Sequence, residues 1–287
     1  MEVINALSID LEDWYHPELV RRNVGSSPVP QIEDATRPVL ALLDLYEVKA
    51  TFFVLGEVAE RNPGLIESIV KKGHEIASHG FSHKPLWDLS EDLFREELEH
   101  FHSVLERILG KIKIKGFRAP TFSLDQRTKW ALKVLRDQGY RYDSSICPVK
   151  LNRLYGINGA PVRPYRISFE DLRKEDPQSP LLEFPLPLLT IGRLKIPISG
   201  GFYLRVFPTP FLHWGLKRIN RKGPFYLYFH PWESYRETPR LNLPLYNSMI
   251  TYYGNHSALR KLEFLLRRFR FSRVDRVLGL KEEHDEA

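Results

Sequence analysis

The sequence predicts an α/β fold assembled from parallel βα units. Short apolar segments alternate with amphipathic segments at helical spacing through the first half of the chain. Polar residues follow several of the apolar segments directly, where parallel sheets place their functional groups. The 287 residues, 43% of them apolar, can bury a substantial core, and no repeat or low-complexity linker divides them. We therefore expect a single domain spanning residues 1–287.

The first half contains five predicted strands that alternate with helices. The first strand is the apolar run 3–9, which stops at the acidic cluster Asp10, Glu12 and Asp13. Turn and breaker residues such as Asn62-Pro63 and Gly73 bound the following elements. We predict the other strands at 50–55, 74–77, 114–117 and 140–143, and helices at 31–46, 64–72, 91–109 and 126–138.

The second half is less regular. Residues from about 147 to 210 hold many of the 21 prolines and no long amphipathic pattern, which predicts an insertion of loops and short strands. We predict that this insertion covers the carboxyl ends of the strands. Its short strands are expected at 182–184 and 188–191, followed by helices at 210–220 and 256–269, strands at 225–229 and 271–273, and a frayed tail at 281–287.

Composition narrows the possible chemistry and location. The single cysteine, Cys147, excludes an internal disulfide and a thiolate zinc site, so any metal must be held by histidines and carboxylates. The start of the sequence lacks a signal-peptide pattern and no run of 18 apolar residues occurs, so we expect a cytoplasmic protein without a membrane span. The net charge of +6 is concentrated late in the chain, which favours a solvated helix face over a nucleic-acid site.

Two clusters of polar residues could form a metal site. The carboxylates after the first strand lie where βα folds place their sites, although a surface turn or helix caps would give the same pattern. His79 and His83 are four residues apart and can converge on one ion if the segment turns helically. Surface or capping histidines are the alternative, because this spacing alone is a weak signal. Two imidazoles and one carboxylate would leave a metal position open for water.

Two further polar residues follow predicted strands. Arg118 comes after the strand at 114–117 and could place its guanidinium against a carboxylate. His230 comes after the strand at 225–229 and provides another imidazole at a strand end. Each short motif taken alone indicates only a turn. Their common position after strands is what favours one shared site.

These segments, taken in order, resemble the polysaccharide deacetylases of carbohydrate esterase family four. The resemblance is closest to the exopolysaccharide-locus subgroup associated with exosortase systems, and its most specific part is the stretch Gly73 to His83. The segments that carry it are Ser8 to Trp14, Ala50 to Gly56, Gly73 to His83, Phe117 to Pro120, Tyr142 to Ser145, Gly200 to Arg205 and Phe229 to Glu233.

The resemblance implies a distorted, seven-stranded (β/α) barrel with its site at the carboxyl ends of the strands. It also implies one divalent ion, usually zinc, bound by one aspartate and two histidines. Carried over by residue, Asp10 is the general base, Arg118 orients it and His230 is the general acid. Asp13, His79 and His83 are the metal ligands. Glu12 competes with Asp13, because period-two geometry puts it on the same face as Asp10 if the strand continues.

The function expected from this resemblance is metal-dependent removal of acetyl groups from N-acetylhexosamine units of a polysaccharide or its precursor, within exopolysaccharide biosynthesis. The partner is therefore an N-acetylated carbohydrate. One alternative is a related enzyme that opens a cyclic amide such as allantoin. The other is a non-catalytic, carbohydrate-binding barrel. Retention of Asp13, His79 and His83 argues against the first alternative, and retention of Asp10 and His230 argues against the second.

Overall fold

Strands and helices alternate around one curled sheet in the computed structural model, which describes residues 3–150 and 156–280. The described strands are β1 (Ile4–Leu11), β2 (Thr51–Val54), β3 (Glu75–Ser78), β4 (Gly116–Phe117), β5 (Tyr142–Asp143), β6 (Tyr165–Arg166), β7 (Leu182–Glu183), β8 (Leu188–Ile191), β9 (Leu194–Pro197), β10 (Tyr226–Phe229) and β11 (Arg270–Ser272). The described helices are α1 (Glu18–Arg21), α2 (Ile32–Leu45), α3 (Gly56–Arg61), α4 (Pro63–Lys71), α5 (Glu91–Leu109), α6 (Ala131–Asp137), α7 (Gly201–Val206), α8 (Thr209–Asn220), α9 (Leu245–Tyr252), α10 (Ala258–Leu266) and α11 (Val274–Val277).

The sheet forms a barrel with one open seam. Seven parallel strands run in the order β10-β1-β2-β3-β4-β5-β7, and β6 adds antiparallel to β7 at the edge. The short strand β11 pairs with the first residues of β1. Within 3–150 and 156–280, no ladder joins β6 to β10. The predicted distorted, seven-stranded (β/α) barrel is confirmed.

Alternation along β1 separates the two sides of the sheet. Leu7, Ile9 and Leu11 are buried in the large apolar cluster beneath the helices. Ala6 belongs to a smaller cluster inside the barrel, and Asp10 lies on the same side of the strand because side chains alternate with a period of two. The strand continues two residues beyond its predicted end. The inner face of β1 therefore carries its polar side chains to the open end of the barrel.

Helix α5 shows how the outer layer follows from the sequence. Ser90 caps it by accepting a hydrogen bond from the backbone N–H of Leu93 at 3.2 Å, and Gly110 ends it with a positive φ of 73°. Its buried residues recur every three or four positions and pack on the sheet. They are Phe94, Leu98, Phe101, Val104 and Leu105. The bounds of this helix agree with the prediction.

The described part of the proline-rich insertion contains β6 to β9 and also a helix, α7, that periodicity did not indicate. Its first residue follows Gly200, whose φ of 125° suits glycine. A six-residue helix is too short to show a helical repeat in the sequence, as is the eight-residue α9. No helix among the described residues is long and apolar enough to cross a bilayer.

The amino end of the barrel is closed by α11. Val274 is fully buried in the inner cluster, and its backbone N–H donates to the Thr51 hydroxyl at 2.8 Å. Leu278 and Leu280 pack against the same cluster. The predicted frayed tail, 281–287, lies outside the described residues. With this end filled by side chains, the opposite end is the one open to a site.

Candidate active site

Polar residues follow the last residues of five strands at the same end of the sheet. Glu12 follows β1, His79 follows β3, Arg118 follows β4, Ser144 follows β5 and His230 follows β10. The parallel register places these ends side by side, with Ser78 opposite Phe117, Phe117 opposite Asp143, and Ile9 opposite Phe229. The strand ends predicted from sequence therefore bring these side chains to one place.

Asp10 and Arg118 form a buried ion pair. The Arg118 Nη1 donates to Asp10 Oδ1 at 2.5 Å and to the Ser8 hydroxyl at 3.0 Å. Its Nε and Nη2 donate to the carbonyl and hydroxyl of Ser144, at 3.1 and 3.0 Å. Burial alone would lower the pKa of Arg118, but the Asp10 carboxylate outweighs burial and raises it. The guanidinium is thus a fixed positive charge that binds one oxygen of Asp10 and leaves Oδ2 for chemistry.

The walls around this ion pair are aromatic. The guanidinium carbon of Arg118 lies 4.0 Å from the ring centre of Phe53, 4.8 Å from Tyr226 and 5.2 Å from Tyr228. Arg118 has no exposed surface. The ring faces limit its movement, so the direction of its hydrogen bonds to Asp10 is set by packing as well as by charge.

Glu12, His79 and His83 form the candidate metal centre. One ligand atom from each lies within 4.8 Å of the others, and all three residues are buried. The Glu12 Oε2 is 2.5 Å from His83 Nε2. Burial would raise the pKa of Glu12, but the facing imidazoles of His230 and His83 hold it well below its usual range. The set provides one carboxylate and two imidazoles, as the sequence predicts, although the carboxylate comes from a different residue.

The protonation of His79 suits a metal ligand. Its Nδ1 lies 2.7 Å from the carbonyl oxygen of Arg118, which can only accept, so Nδ1 carries the proton and Nε2 keeps its lone pair. Burial, together with the nearby His83, lowers the pKa of His79 to about 4 and keeps the ring neutral. Neutral imidazole is the form that binds metal ions.

The segment between the two histidines is not helical, contrary to the geometry that the spacing suggested. Gly80 has a φ of 79° and His83 a φ of 57°, so the chain turns sharply twice. Glu97 of α5 accepts from the backbone N–H of Phe81 at 3.1 Å and of Ser82 at 3.3 Å. The two imidazoles meet because a loop braced by α5 folds back on the strand end.

Asp13 does not lie with the histidines, which corrects the ligand expected from the resemblance. Its Oδ2 accepts from the backbone N–H groups of Gln31 at 2.8 Å and Ile32 at 3.1 Å, at the start of α2, and its Oδ1 accepts from Trp14 N–H at 2.9 Å. Asp13 is a helix cap, the alternative raised for the acidic cluster. Glu12 takes the predicted place of Asp13 because β1 extends to Leu11, which keeps Glu12 near the face of Asp10.

On the other side of Glu12, His230 is held by two charged residues, Glu233 and Arg205. Its Nδ1 lies 2.9 Å from Glu233 Oε2, and Arg205 binds Glu233 Oε1 through Nε at 2.9 Å. The Nε2 points towards Glu12 Oε1 at 3.3 Å and Asp10 Oδ2 at 3.9 Å. Burial would lower the pKa of His230, but Glu12, Glu233 and Asp10 raise it to about 9. At neutral pH the ring carries a proton on the atom that faces the site.

Neither Glu233 nor Arg205, the two residues that hold His230, was predicted from the sequence as a site residue. Burial would raise the pKa of Glu233, but Arg205 and His230 lower it to about 2, so it stays ionised. A Cβ on Gly201 would stand 1.5 Å from Glu233 Oε2, so glycine is required for the close approach of α7. The position of Glu233, three residues after His230 at the start of a short 3₁₀ turn, was the available signal.

A pair of buried acids stabilises the turn next to Arg118. Asp143 ends β5 and Glu183 ends β7 opposite it, and burial raises the pKa of both carboxyl groups. Ser145 donates to Asp143 Oδ1 at 2.5 Å, and the hydroxyl of Ser145 also accepts from Ala119 N–H at 2.8 Å. The pair thus anchors the turn that carries Ser144, and through it Arg118.

The open surface next to the site is a polar cleft. It has a volume of about 420 Å³, reaches His83, and is lined by Tyr15, His16, Arg21, Ser26, Ser27, Pro28, Glu57, Arg61, Ser82 and His83. Trp14 and Trp232 are buried, so the first role of these two rings is in packing. The Trp232 ring stacks on His230 with ring centres 5.5 Å apart, and its Nε1 points at Glu12 Oε1 at 3.4 Å.

Two family models match the chain, and together they cover most of it. The polysaccharide deacetylase model matches residues 25–142, and a domain of unknown function, DUF3473, matches residues 144–279. A peptidoglycan-N-acetylglucosamine deacetylase from Bacillus cereus is 37% identical over 97 residues, which is 33% of this chain and 35% of that protein. The chain therefore spans about a third of the length of this curated relative.

Solved structures share the fold at low sequence identity. A probable polysaccharide deacetylase from Pseudomonas aeruginosa superposes with a TM-score of 0.59 at 17% identity, covering 96% of this chain and 89% of that one. An allantoinase gives a TM-score of 0.58 at 16% identity, covering 96% and 89%. A pseudoenzyme of the CE4 family from Bacillus anthracis gives 0.52 at 15% identity, covering 96% and 66%. Identities this low show the fold alone.

The fold is a distorted (β/α) barrel of the polysaccharide deacetylase type, and residues 25–142 match the model of that family. The match to the polysaccharide deacetylase model covers less than half of the chain, and the DUF3473 match follows it directly. The family resemblance seen in the sequence is confirmed, while the exopolysaccharide subgroup stays a prediction. The boundary between the two matches cuts one sheet, because β5 and β7 pair across it. His79, His83 and Arg118 lie in the first match, and His230 and Glu233 in the second.

Proposed function

We propose that this protein is a divalent-metal-dependent deacetylase that hydrolyses the acetamido group of N-acetylhexosamine units in a polysaccharide or its precursor. One observation carries the proposal. The side chains of Asp10 and His230 both face the group Glu12, His79 and His83, with Asp10 Oδ2 3.9 Å from His230 Nε2. Amide hydrolysis needs a base for water and an acid for the amine, and both are present here.

The donor set fits a metal ion of the zinc type. Two imidazoles and one carboxylate with an open position are typical of catalytic zinc, and His79 has its second nitrogen bound to a carbonyl, as zinc ligands usually do. The buried Nδ1 of His83 has no hydrogen-bond partner among the described residues. A bound divalent ion would polarise the acetyl oxygen and lower the pKa of its water. We propose Glu12, His79 and His83 as the ligands and zinc as the ion.

The residues of the chain divide the proton transfers between them. Asp10 takes a proton from the attacking water at Oδ2, because Arg118 occupies Oδ1. As the C–N bond breaks, His230 gives the proton on Nε2 to the departing sugar amine. Glu233, fixed by Arg205, accepts from Nδ1 and holds the ring in that orientation throughout.

The experiment is acetate release from chitooligosaccharides and from N-acetylated peptidoglycan, with metal content measured in the same preparations. We expect acetate release by the wild type, its loss in Asp10→Asn with metal retained, and loss of both in His79→Ala. Asp34→Asn is the matched control, because Asp34 is exposed on α2 and, among the described residues, forms its ion pair with Arg37 of the same helix. Acetate release that survives Asp10→Asn would refute the proposed base.

The alternative functions have their own readouts in this experiment. Ring opening of allantoin without acetate release would identify the cyclic-amide hydrolase. Carbohydrate binding with neither reaction would identify the non-catalytic barrel. The exopolysaccharide pathway and a cytoplasmic location stay predictions.

A further inference from the structure

We propose that the outer face of α9 docks the protein on an anionic membrane surface. The α9 face consists of Leu245, Tyr246, Met249 and Tyr253, whose exposed fractions are 87%, 65%, 51% and 58%. The first three fall within about 100° around the helix axis, and Tyr253 follows at its end. Large apolar side chains this exposed and this concentrated mark an interaction surface.

The exposure of this face is not a result of loose packing, because the inner side of α9 is firmly held. Thr251 and Tyr252 are buried, and the Tyr252 hydroxyl accepts a hydrogen bond from the backbone N–H of Leu241 at 2.9 Å. Arg205 donates to the carbonyls of Ile250 at 2.8 Å and Tyr253 at 2.6 Å. The helix therefore presents its apolar side chains outwards on a rigid base.

The α9 face lies at the same end of the barrel as the candidate active site. Helix α9 packs on α1, which begins seven residues after the end of β1, and Asn247 donates to the Leu19 carbonyl at 3.4 Å. The same Arg205 that binds the end of α9 binds Glu233, which holds His230. A flat partner that covers the α9 face would therefore lie close to the mouth of the site.

Charge around the face identifies the partner. Arg240 lies beside α9, with its guanidinium carbon 5.8 Å from the ring centre of Tyr252, and the acids of residues 231–242 are Glu233 and Glu237. Glu233 is buried and already paired with Arg205. Arg236, Arg240 and Arg260 are exposed, as is Arg22 at the end of the helix that packs on α9. The partner must offer negative charge next to an apolar layer.

A bilayer that contains anionic lipid meets both requirements. Leucine and methionine can enter the acyl boundary, tyrosine favours the headgroup level, and arginine binds lipid phosphates. A glycan offers Tyr246 and Tyr253 a stacking partner, but it offers no apolar layer to Leu245 and Met249. A second copy of this chain would bring a like-charged surface against Arg236 and Arg240.

Vesicle flotation tests this proposal without any activity assay, so its failure is distinct from failure of the proposed deacetylase. The wild type is expected to float with phosphatidylcholine vesicles that contain phosphatidylglycerol, and less with pure phosphatidylcholine. The double variant Leu245→Ser, Met249→Ser should lose binding by at least about tenfold, because two inserted side chains are removed. Leu45→Ser is the control, since Leu45 is 70% exposed at the opposite end of the barrel.

A second variant pair separates charge from insertion. Arg236→Gln with Arg240→Gln should weaken binding to anionic vesicles while leaving the weak binding to neutral vesicles unchanged, and added salt should have the same effect. Three results would overturn the proposal. They are a wild type that stays unbound with every vesicle, a Leu245→Ser, Met249→Ser variant that floats like the wild type, and a dimer in sedimentation that this variant abolishes.

Discussion

The carbonyl oxygen of Arg118 accepts a hydrogen bond from Nδ1 of His79 at 2.7 Å, while the guanidinium of the same residue binds Asp10 at 2.5 Å. One residue therefore sets both the tautomer of a candidate metal ligand and the orientation of the proposed base. The backbone contact depends only on the position of β4 beside β3, whereas the side-chain contact depends on the arginine itself. Substitution of Arg118 separates the two.

Arg118→Lys should abolish most activity and keep the metal. Lysine cannot reproduce the contacts of the guanidinium with Asp10, Ser8 and Ser144, so we expect kcat to fall by about 100-fold or more. The backbone bond to His79 remains, so metal content per chain should not change. Arg127→Lys, on the exposed surface, is the control. An Arg118→Lys enzyme with wild-type kcat would show that the several hydrogen bonds of the guanidinium have no role in the reaction.

Glu12→Gln should impair metal binding, whereas Asp13→Asn should lower stability and leave metal binding intact. Glu12→Gln should weaken metal binding by more than about tenfold, because it replaces the only carboxylate of the candidate centre. Asp13→Asn should retain the metal but lower the free energy of unfolding by about 1–2 kcal/mol, because it weakens the cap of α2. Metal content and urea unfolding of both variants measure the two effects. The reverse pattern would restore Asp13 as the ligand.

Gly201→Ala should impair the acid side of the site. The added Cβ would displace the Glu233 carboxylate, so His230 would lose its fixed orientation and kcat should fall by about 100-fold while metal content stays constant. Gly64→Ala is a matched control, because a Cβ there meets nothing within 4 Å. Single-turnover kinetics would separate this effect from substrate binding. Full activity in Gly201→Ala would show that the orientation by Glu233 is dispensable.

Glu75 should make stability decrease as pH rises. This carboxyl faces Thr51, Tyr142 and Asp275 at the amino end of the barrel, with Lys115 and Arg273 bound to Asp275. Burial and the nearby Asp275 raise its pKa from 4.5 to about 7. The native state thus holds a proton that the unfolded chain releases between these values, and stability falls by at most about 3 kcal/mol across that window.

Glu75→Gln mimics the protonated acid and should remove this contribution. Urea unfolding from about pH 5 to about pH 8 should show the variant gaining stability over the wild type as pH rises. The difference between the two proteins is the quantity to compare, because Asp143 and Glu183 add a dependence of the same sign to both. Glu67→Gln, on the exposed surface of α4, is the control. A constant difference across the range would contradict the raised pKa.

The sequence predicted the positions of most site residues but not all their contacts. Apolar strands followed by His79, Arg118 and His230 were recognisable, since parallel strands end at one edge of the sheet. The choice between Glu12 and Asp13 depended on whether the strand ran two residues past Ile9, which no local pattern decides. The binding of Arg205 to Glu233 joins residues 28 positions apart, so it appears only once α7 packs against β10.

The boundary between the two matched segments also separates the two halves of the proposed reaction. The residues that would activate water lie before residue 143. The proton donor His230, and Glu233 and Arg205 that hold it, lie after residue 143. A chain that kept only residues 1–142 would retain half of the proposed reaction and would need a proton donor from another segment, whereas the matched segment 25–142 alone would also lack Asp10 and Glu12. Substitutions in the later segment can therefore change how the departing amine receives its proton without replacing any residue that would activate water.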